Sequence, residues 1–244
     1  MQIENFKTGI KTDPSLQPIK LDPGDNIKNK KHVRNLLKDL AESSLDSLKE
    51  NLEKAYHNEA ELNGFHPINE IKGLDSIYAL LWMPLKTSFP DLERRDNLII
   101  GGSFQDKVFV SFISHLTGTF TKPWLNVPAT QKTIHLRTCE VHQLKDDKII
   151  KSYVLIDTVD FIRQAGHWPI NPSLGIEEMW PGPITGDGTT HENEDVNLSI
   201  TSLEQALKMQ RSLNIKPEKE SDSKETIREK LINHPQKYYW HPKM

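Results

Sequence analysis

The stretch from Asp146 to Pro169, DDKIIKSYVLIDTVDFIRQAGHWP, changes its period halfway along. Asp146 and Asp147 read as the centre of a tight hairpin turn. Lys148 to Ile156 is strand-like, with β-branched and aromatic residues. From Asp157 onward the apolar residues fall at helical spacing, and Gly166 stands where a helix is usually closed. A strand that ends in an ionisable group and turns at once into a short helix restricts the fold more than any other part of this chain. Its apolar run asks for burial on a sheet. Asp157 sits where that run ends, either as the cap of the helix or as a carboxylate facing a pocket.

The segments upstream supply what the strand packs against. From Ile27 to Tyr56, apolar residues recur at Val33, Leu36, Leu37, Leu40, Leu45, Leu48 and Leu52, a helical pattern with a break expected near Ser43 and Ser44. GFHPINEIKG (64–73) reads as a loop, because Pro67 disfavours helix at His66. LDSIYALLWMPLKTSF (74–89) reads as a second helix, ended or kinked by Pro84. After Pro90 and Asp91 the period changes. RRDNLIIGGSF, KVFVSFISHLTGTF and TIHLRTCEVHQL alternate in part and are separated by turn residues, as strands are. Helices first, strands next and a short closing helix give an α+β fold, with helices packed on an antiparallel sheet.

This reading divides the chain into an extended arm (1–26), an α+β domain (27–168), an arm with one helix and a charged linker (169–223), and a last segment (224–244). Thr201 and Glu204 form a capping box at the head of the helix TSLEQALKMQRSL. REKLINHPQKYYWHPKM loosely echoes LEKAYHNEAELNGFHP, with His241-Pro242 answering His66-Pro67, so the last segment reads as the start of a second, incomplete repeat.

Charge and motif content exclude several function classes. Thirty-one Lys and Arg against 34 Asp and Glu leave a net charge of −3, with both signs interspersed. A nucleic-acid binder would show a basic patch or stripe. The lone cysteine, Cys139, leaves no internal disulfide and fits a reducing compartment. No signal-peptide core opens the chain, and no apolar run approaches the ~18 residues of a membrane span. The expectation is a soluble, cytoplasmic protein with no nucleic-acid or membrane partner. No His-Glu-x-x-His, P-loop, Gly-x-Ser-x-Gly or dinucleotide pattern occurs, so no metal and no cofactor are expected.

With Asp146 and Asp147 at the turn, Leu144 pairs with Ile149, His142 with Lys151, Glu140 with Tyr153 and Leu136 with Asp157. Alternation then gathers His142, Glu140, Tyr153, Leu155 and Asp157 on one face, and Arg137, His135 and Cys139 on the other. A sheet face so rich in titratable groups is either a polar rim or the wall of a pocket. His142 and the row of Asp157 lie roughly 20 Å apart on a flat ladder, so they would meet different ends of one ligand. Arg137 reads as a partner in a structural ion pair. His66, Trp82 and Trp124 are further candidates for lining a cavity, against the plainer reading of the tryptophans as core.

KIIKSYVLIDTVDFIRQAG (148–166) resembles the strand-to-helix signature of the SnoaL-like polyketide cyclases (ester cyclases) of the nuclear-transport-factor-like superfamily. Lys148, Ile149, Asp157, Gln164 and Gly166 fill its positions, with Asp147 in place of the usual glycine. SFPDL (88–92), TGTF (117–120) and VPATQKTIHLR (127–137) match further segments in the same order. The resemblance implies a curved antiparallel sheet wrapped into a cone around a helix-lined cavity. It also implies acid/base chemistry on a small hydrophobic carbonyl compound (cyclisation, isomerisation or dehydration). In that reading Asp157 is the catalytic acid/base and His142 contacts the ligand, while Tyr153, Glu140, His66, Trp82 and Trp124 contribute to binding. A homodimer through the sheet is expected. The rival expectation is a non-catalytic small-molecule-binding or dimerisation module on the same fold.

Overall fold

The computed structural model describes residues 23–171, 183–184, 195–213, 223–232 and 234. Contacts sort the chain into two units, residues 17–193 and residues 1–16 with 194–244. The first unit opens with α1 (Pro23–Glu42) and α2 (Leu45–Ala55), which part at Ser43 and Ser44 as expected. Ser43 Oγ donates to the Leu40 carbonyl, and Ser44 caps α2 by accepting the Ser47 N–H. Strands β1 (Tyr56–Gly64) and β2 (Glu70–Lys72) follow. The next helix comes in three parts: α3 (Leu74–Ile77), a π turn (Tyr78–Trp82) and α4 (Met83–Ser88). Pro84 does not end it. Pro84 falls in the first turn of α4, directly after the π turn, in which the Met83 N–H reaches back to the Tyr78 carbonyl.

Strands β3 (Glu93–Phe104), β4 (Lys107–Thr119), β5 (Thr133–Lys145) and β6 (Lys148–Ile156), then α5 (Thr158–Gln164), complete this unit. The six strands form a curved, unclosed sheet in the order β2-β1-β6-β5-β4-β3. The fold is α+β, as expected. Neighbouring strands are antiparallel except β1 and β6, which are parallel. β1 had no strand signal: His57 to Leu62 contains no β-branched residue, and only Tyr56, Ala60 and Leu62 are buried along the strand.

The core lies between the helices and the inner face of the sheet, where Leu37, Leu40, Leu48 and Leu52 join Val110, Phe112, Leu116, Leu136 and Ile156. An aromatic cluster closes one end. Phe89 stacks on Phe120 at 5.0 Å, and Phe161 meets Phe120 at 5.2 Å and Trp124 at 5.1 Å.

The short motifs read from the sequence touch one another. The Asp91 carboxylate of SFPDL accepts the Thr119 N–H at 2.7 Å and the Thr119 hydroxyl at 2.6 Å. Gly118 permits this approach, since a Cβ there would lie 3.1 Å from the Asp91 carboxylate oxygen and 3.3 Å from the Leu92 Cα. The Gln164 amide accepts the His135 N–H at 2.9 Å and donates to the His135 carbonyl at 2.8 Å, which pins α5 to β5. Gly166, at φ 89°, closes α5: its N–H reaches the Arg163 carbonyl and the His167 N–H reaches the Ile162 carbonyl.

Asp146 and Asp147 have φ values of 50° and 59°, the left-handed pair of a type I′ turn, and Leu144 faces Ile149 as expected. The register then departs from expectation. Ile150 is an extra residue, and the next pair is Gln143 with Lys151. Beyond this β-bulge, β6 has the opposite parity. His142 therefore faces Ser152, Glu140 faces Val154 and Thr138 faces Ile156.

In the other unit, α6 (Val196–Leu213) starts ahead of the proposed capping box. Asp195 accepts the Leu198 N–H at the helix start, while the Thr201 hydroxyl donates to the Asn197 carbonyl one turn inside it. α7 (Lys224–Ile232) is capped by Ser223, which accepts the Thr226 N–H. The expected arm up to residue 22, most of 172–194, and the echo at His241-Pro242 lie outside the described residues.

Candidate functional site

Alternate positions on the inner face of β3, β4, β5 and β6 bring a set of charged and polar groups into the core. Glu140 of β5 is its centre, 4 % exposed. A buried carboxylate is costly unless paired, and the partner is Arg94 of β3. Arg94 Nη1 donates to both Glu140 oxygens, at 3.0 and 3.1 Å. Arg94 also donates through Nε to Asp96 at 2.9 Å and through Nη2 to Ser114 Oγ at 2.9 Å. Ser114 in turn donates to Asp96 at 2.7 Å, and the half-buried Arg34 of α1 reaches the other Asp96 oxygen at 3.2 Å. The bonded charges are two guanidiniums and two carboxylates.

Burial alone would raise the Glu140 pKa. The Arg94 guanidinium, His142 and the Thr138 hydroxyl that donates at 2.6 Å together outweigh it, and the carboxyl is held well below the usual carboxylate range. Arg94 likewise stays charged: burial opposes its charge, but Glu140 and Asp96 raise its pKa. His142 is fully buried between two partners, with Nε2 3.0 Å from Glu140 and Nδ1 2.8 Å from Ser152 Oγ. An ionised carboxylate only accepts, so Nε2 carries a proton. In the neutral imidazole Nδ1 is then the lone-pair side, and the Ser152 hydroxyl donates to it.

A cavity of about 20 Å³ opens beside this cluster, walled by Tyr56, Trp82, Glu140 and His142 with Leu81 and Leu85 among its apolar lining. That space holds about one water. Tyr56 is 1 % exposed, with its hydroxyl 3.5 Å from Ser152 Oγ, and burial pushes its phenol up to about 12. Trp82 is 6 % exposed, and its indole N–H has no hydrogen-bond partner among the described residues.

Of the residues singled out from sequence, His142, Glu140 and Trp82 meet here. Tyr153 does not, because the Ile150 bulge turns it to the outer face, where it is 48 % exposed. Asp157 stands at the end of β6 as the N-cap of α5, accepting the Asp160 N–H at 2.9 Å and an Arg137 Nη2 bond at 2.6 Å. Partial burial would raise its pKa, but these two partners and the nearby Arg163 lower it. Trp124 belongs to the aromatic cluster, and His66 lies exposed in the loop between β1 and β2. Sequence reading missed Arg94, Asp96, Tyr56 and Ser152. The one available signal was Arg94 and Asp96 at alternate positions of a strand whose next residues are apolar. Among the described residues no group of His, Cys, Asp or Glu could hold a metal ion, and no helix is long and apolar enough to cross a membrane.

No curated protein matches the sequence. Among solved structures, a SnoaL-like polyketide cyclase candidate from Jannaschia sp. CCS1 is 17 % identical, over 57 % of this chain and 95 % of its own, with a TM-score of 0.46. AclR, a candidate hydroxylase from Streptomyces galilaeus, is 18 % identical over 57 % of this chain and 99 % of its own, with a TM-score of 0.46. IdmH, a candidate polyketide cyclase from Streptomyces antibioticus, is 16 % identical over 60 % of this chain and all of its own, with a TM-score of 0.45. The sequence pattern of the SnoaL-like polyketide cyclases matches residues 31–165, the span from within α1 to the end of α5. The chain belongs to the SnoaL-like polyketide cyclase family.

Proposed function

We propose that this protein performs acid/base chemistry on a small hydrophobic carbonyl compound at the inner face of the sheet, with His142 as the proton-transferring group. The observation that carries this reading is the His142 imidazole, buried on the cavity wall and oriented by Glu140, with its lone-pair side turned to a hydroxyl. A base held in one tautomer by a carboxylate suits proton abstraction beside a carbonyl, and since its lone pair already accepts from Ser152, that hydroxyl relays the proton, taking it from the α-carbon while giving its own to His142 Nδ1. The cavity lining is otherwise mainly apolar, which suits the small hydrophobic ligands of the family. The reaction is cyclisation, isomerisation or dehydration through an enol. Family resemblance gives the acid/base role to Asp157 instead, but its bonds to Arg137 and α5 favour a supporting role there.

Exchange of α-protons for deuterium, followed by NMR over a panel of small ketones and enones, tests the reading without knowledge of the product. Wild-type protein is expected to catalyse exchange on at least one of them. His142→Gln is expected to slow it by about 10²–10⁴-fold, and Asp157→Asn to leave it within about twofold. The reverse ranking would return the base to Asp157, and no exchange with any compound would remove the enzymatic reading in favour of a binding module.

The outer face supports a homodimer through the sheet. Two cross-strand rows, Leu98–Ile113–Cys139–Leu155 and Ile100–Ser111–Val141–Tyr153, run across β3 to β6. Leu98, Ile100, Tyr153 and Leu155 are between 45 and 60 % exposed. A contiguous apolar face of this kind marks an interaction surface, and a second copy covers it with its own equivalent. Light scattering is expected to give a dimer, and Leu155→Asp a folded monomer. A wild-type monomer at high concentration would refute the pairing.

A further inference from the structure

Trp82 lines the cavity, and its indole N–H is a strong donor, withdrawn from solvent and without a hydrogen-bond partner among the described residues. Buried donors are rarely left so, and an orphan of this kind has lost its water without replacement. Tyr56 faces the same space from the start of β1, and the bond nearest its hydroxyl is the 3.5 Å approach to Ser152, at the limit of a hydrogen bond. Trp82 comes near enough to the Tyr56 oxygen to favour the phenolate slightly, but not in hydrogen-bond geometry. We propose that Tyr56 and Trp82 form a two-donor seat for one neutral oxygen acceptor, so that the ligand is a ketone, enone or amide rather than a carboxylate or phosphate. This rests on the reading of the inner face as a small-molecule site.

Three further observations fix the class. First, the phenol of Tyr56, raised to about 12, keeps its proton through the neutral range and so remains a donor. Second, the positive charge beside the seat is already spent: Arg94 is bonded to Glu140, Asp96 and Ser114, and Arg34 to Asp96. An anion entering there would meet the Glu140 carboxylate with no unbalanced cation among the described members of the cluster to offset it. Third, a space of about 20 Å³ takes an oxygen atom and little carbon. The carbon body of the ligand therefore needs room beyond this space, among the apolar lining that includes Leu81 and Leu85 on the π turn and α4.

The test uses the full chain with ¹⁵N-labelled tryptophan and two probes of similar size, 2-cyclohexenone and cyclohexanecarboxylate. The Trp82 indole signal is the one lost in Trp82→Phe or, should that variant not fold, the one with a nuclear Overhauser contact to the Tyr56 ring. Cyclohexenone is expected to move this proton downfield saturably, and the carboxylate to leave it in place. Tyr56→Phe, which keeps the ring, is expected to weaken cyclohexenone binding about tenfold. An unmoved Trp82 signal, equal competition by the carboxylate, or unchanged affinity in Tyr56→Phe would overturn the assignment. A long-lived water on the Trp82 N–H that the ketone never displaces would overturn it as well. Binding without α-proton exchange keeps the seat and removes the acid/base reading. Exchange without a Trp82 response does the opposite.

Discussion

Glu140→Leu is expected to lower the unfolding free energy by about 3–5 kcal/mol, because it strands the Arg94 charge in the core. Arg94 would keep Asp96 and Ser114, but the cluster would hold two guanidiniums against one carboxylate. The double variant Arg94→Met/Glu140→Leu restores the balance, with Arg34 and Asp96 as the remaining pair. It is expected to recover most of the loss, since a buried pair exchanged for apolar groups of similar volume is often neutral. Urea denaturation of the four proteins closes the cycle. A double variant as weak as the sum of the singles would mean that the network holds the sheet by shape, not by charge balance. Acid adds an independent readout. Glu140 has a folded pKa far below its ordinary 4.5, so its contribution is complete above 4.5 and is lost progressively as pH falls below it. Wild-type stability is expected to fall more steeply between about pH 4.5 and 3 than that of the double variant.

Phe161→Ala is the second large effect expected, at about 3–5 kcal/mol. Phe161 is fully buried and meets Phe89, Phe120 and Trp124 at centroid distances of 6.3, 5.2 and 5.1 Å. It is also the residue through which α5 enters the core, so its loss leaves a cavity that the Gln164 bonds to His135 keep from collapsing. The thermal midpoint is the measurement, and a change below about 1 kcal/mol would show that the end of the sheet repacks freely.

These two predictions fall on parts of the molecule that the sequence disclosed unequally. Phe161 could be read in advance, because local spacing places it on the apolar side of a short helix. The break at Ser43-Ser44, the Asp146-Asp147 turn and the four long strands were legible for the same reason, since each is decided by neighbours a few residues away. The Glu140 partner was not. Arg94 lies 46 residues from Glu140 and Tyr56 96 residues from Ser152, and nothing local pairs them. β1 escaped because its polar sequence carries no strand preference and only the pairing with β6 makes it one. The parity of β6 escaped because a bulge leaves no mark in composition.

That bulge also governs how knowledge may pass between relatives. Ile150 separates the hairpin tip, where Leu144 and Ile149 keep the simple pairing, from the rest of β6, where every residue has changed sides. An alignment that opens no gap for this extra residue would exchange Ser152 for Tyr153 and Val154 for Leu155, and would swap interior for exterior in all of them. Transfer of a functional residue along this strand is therefore sound only when the extra residue itself has been matched first.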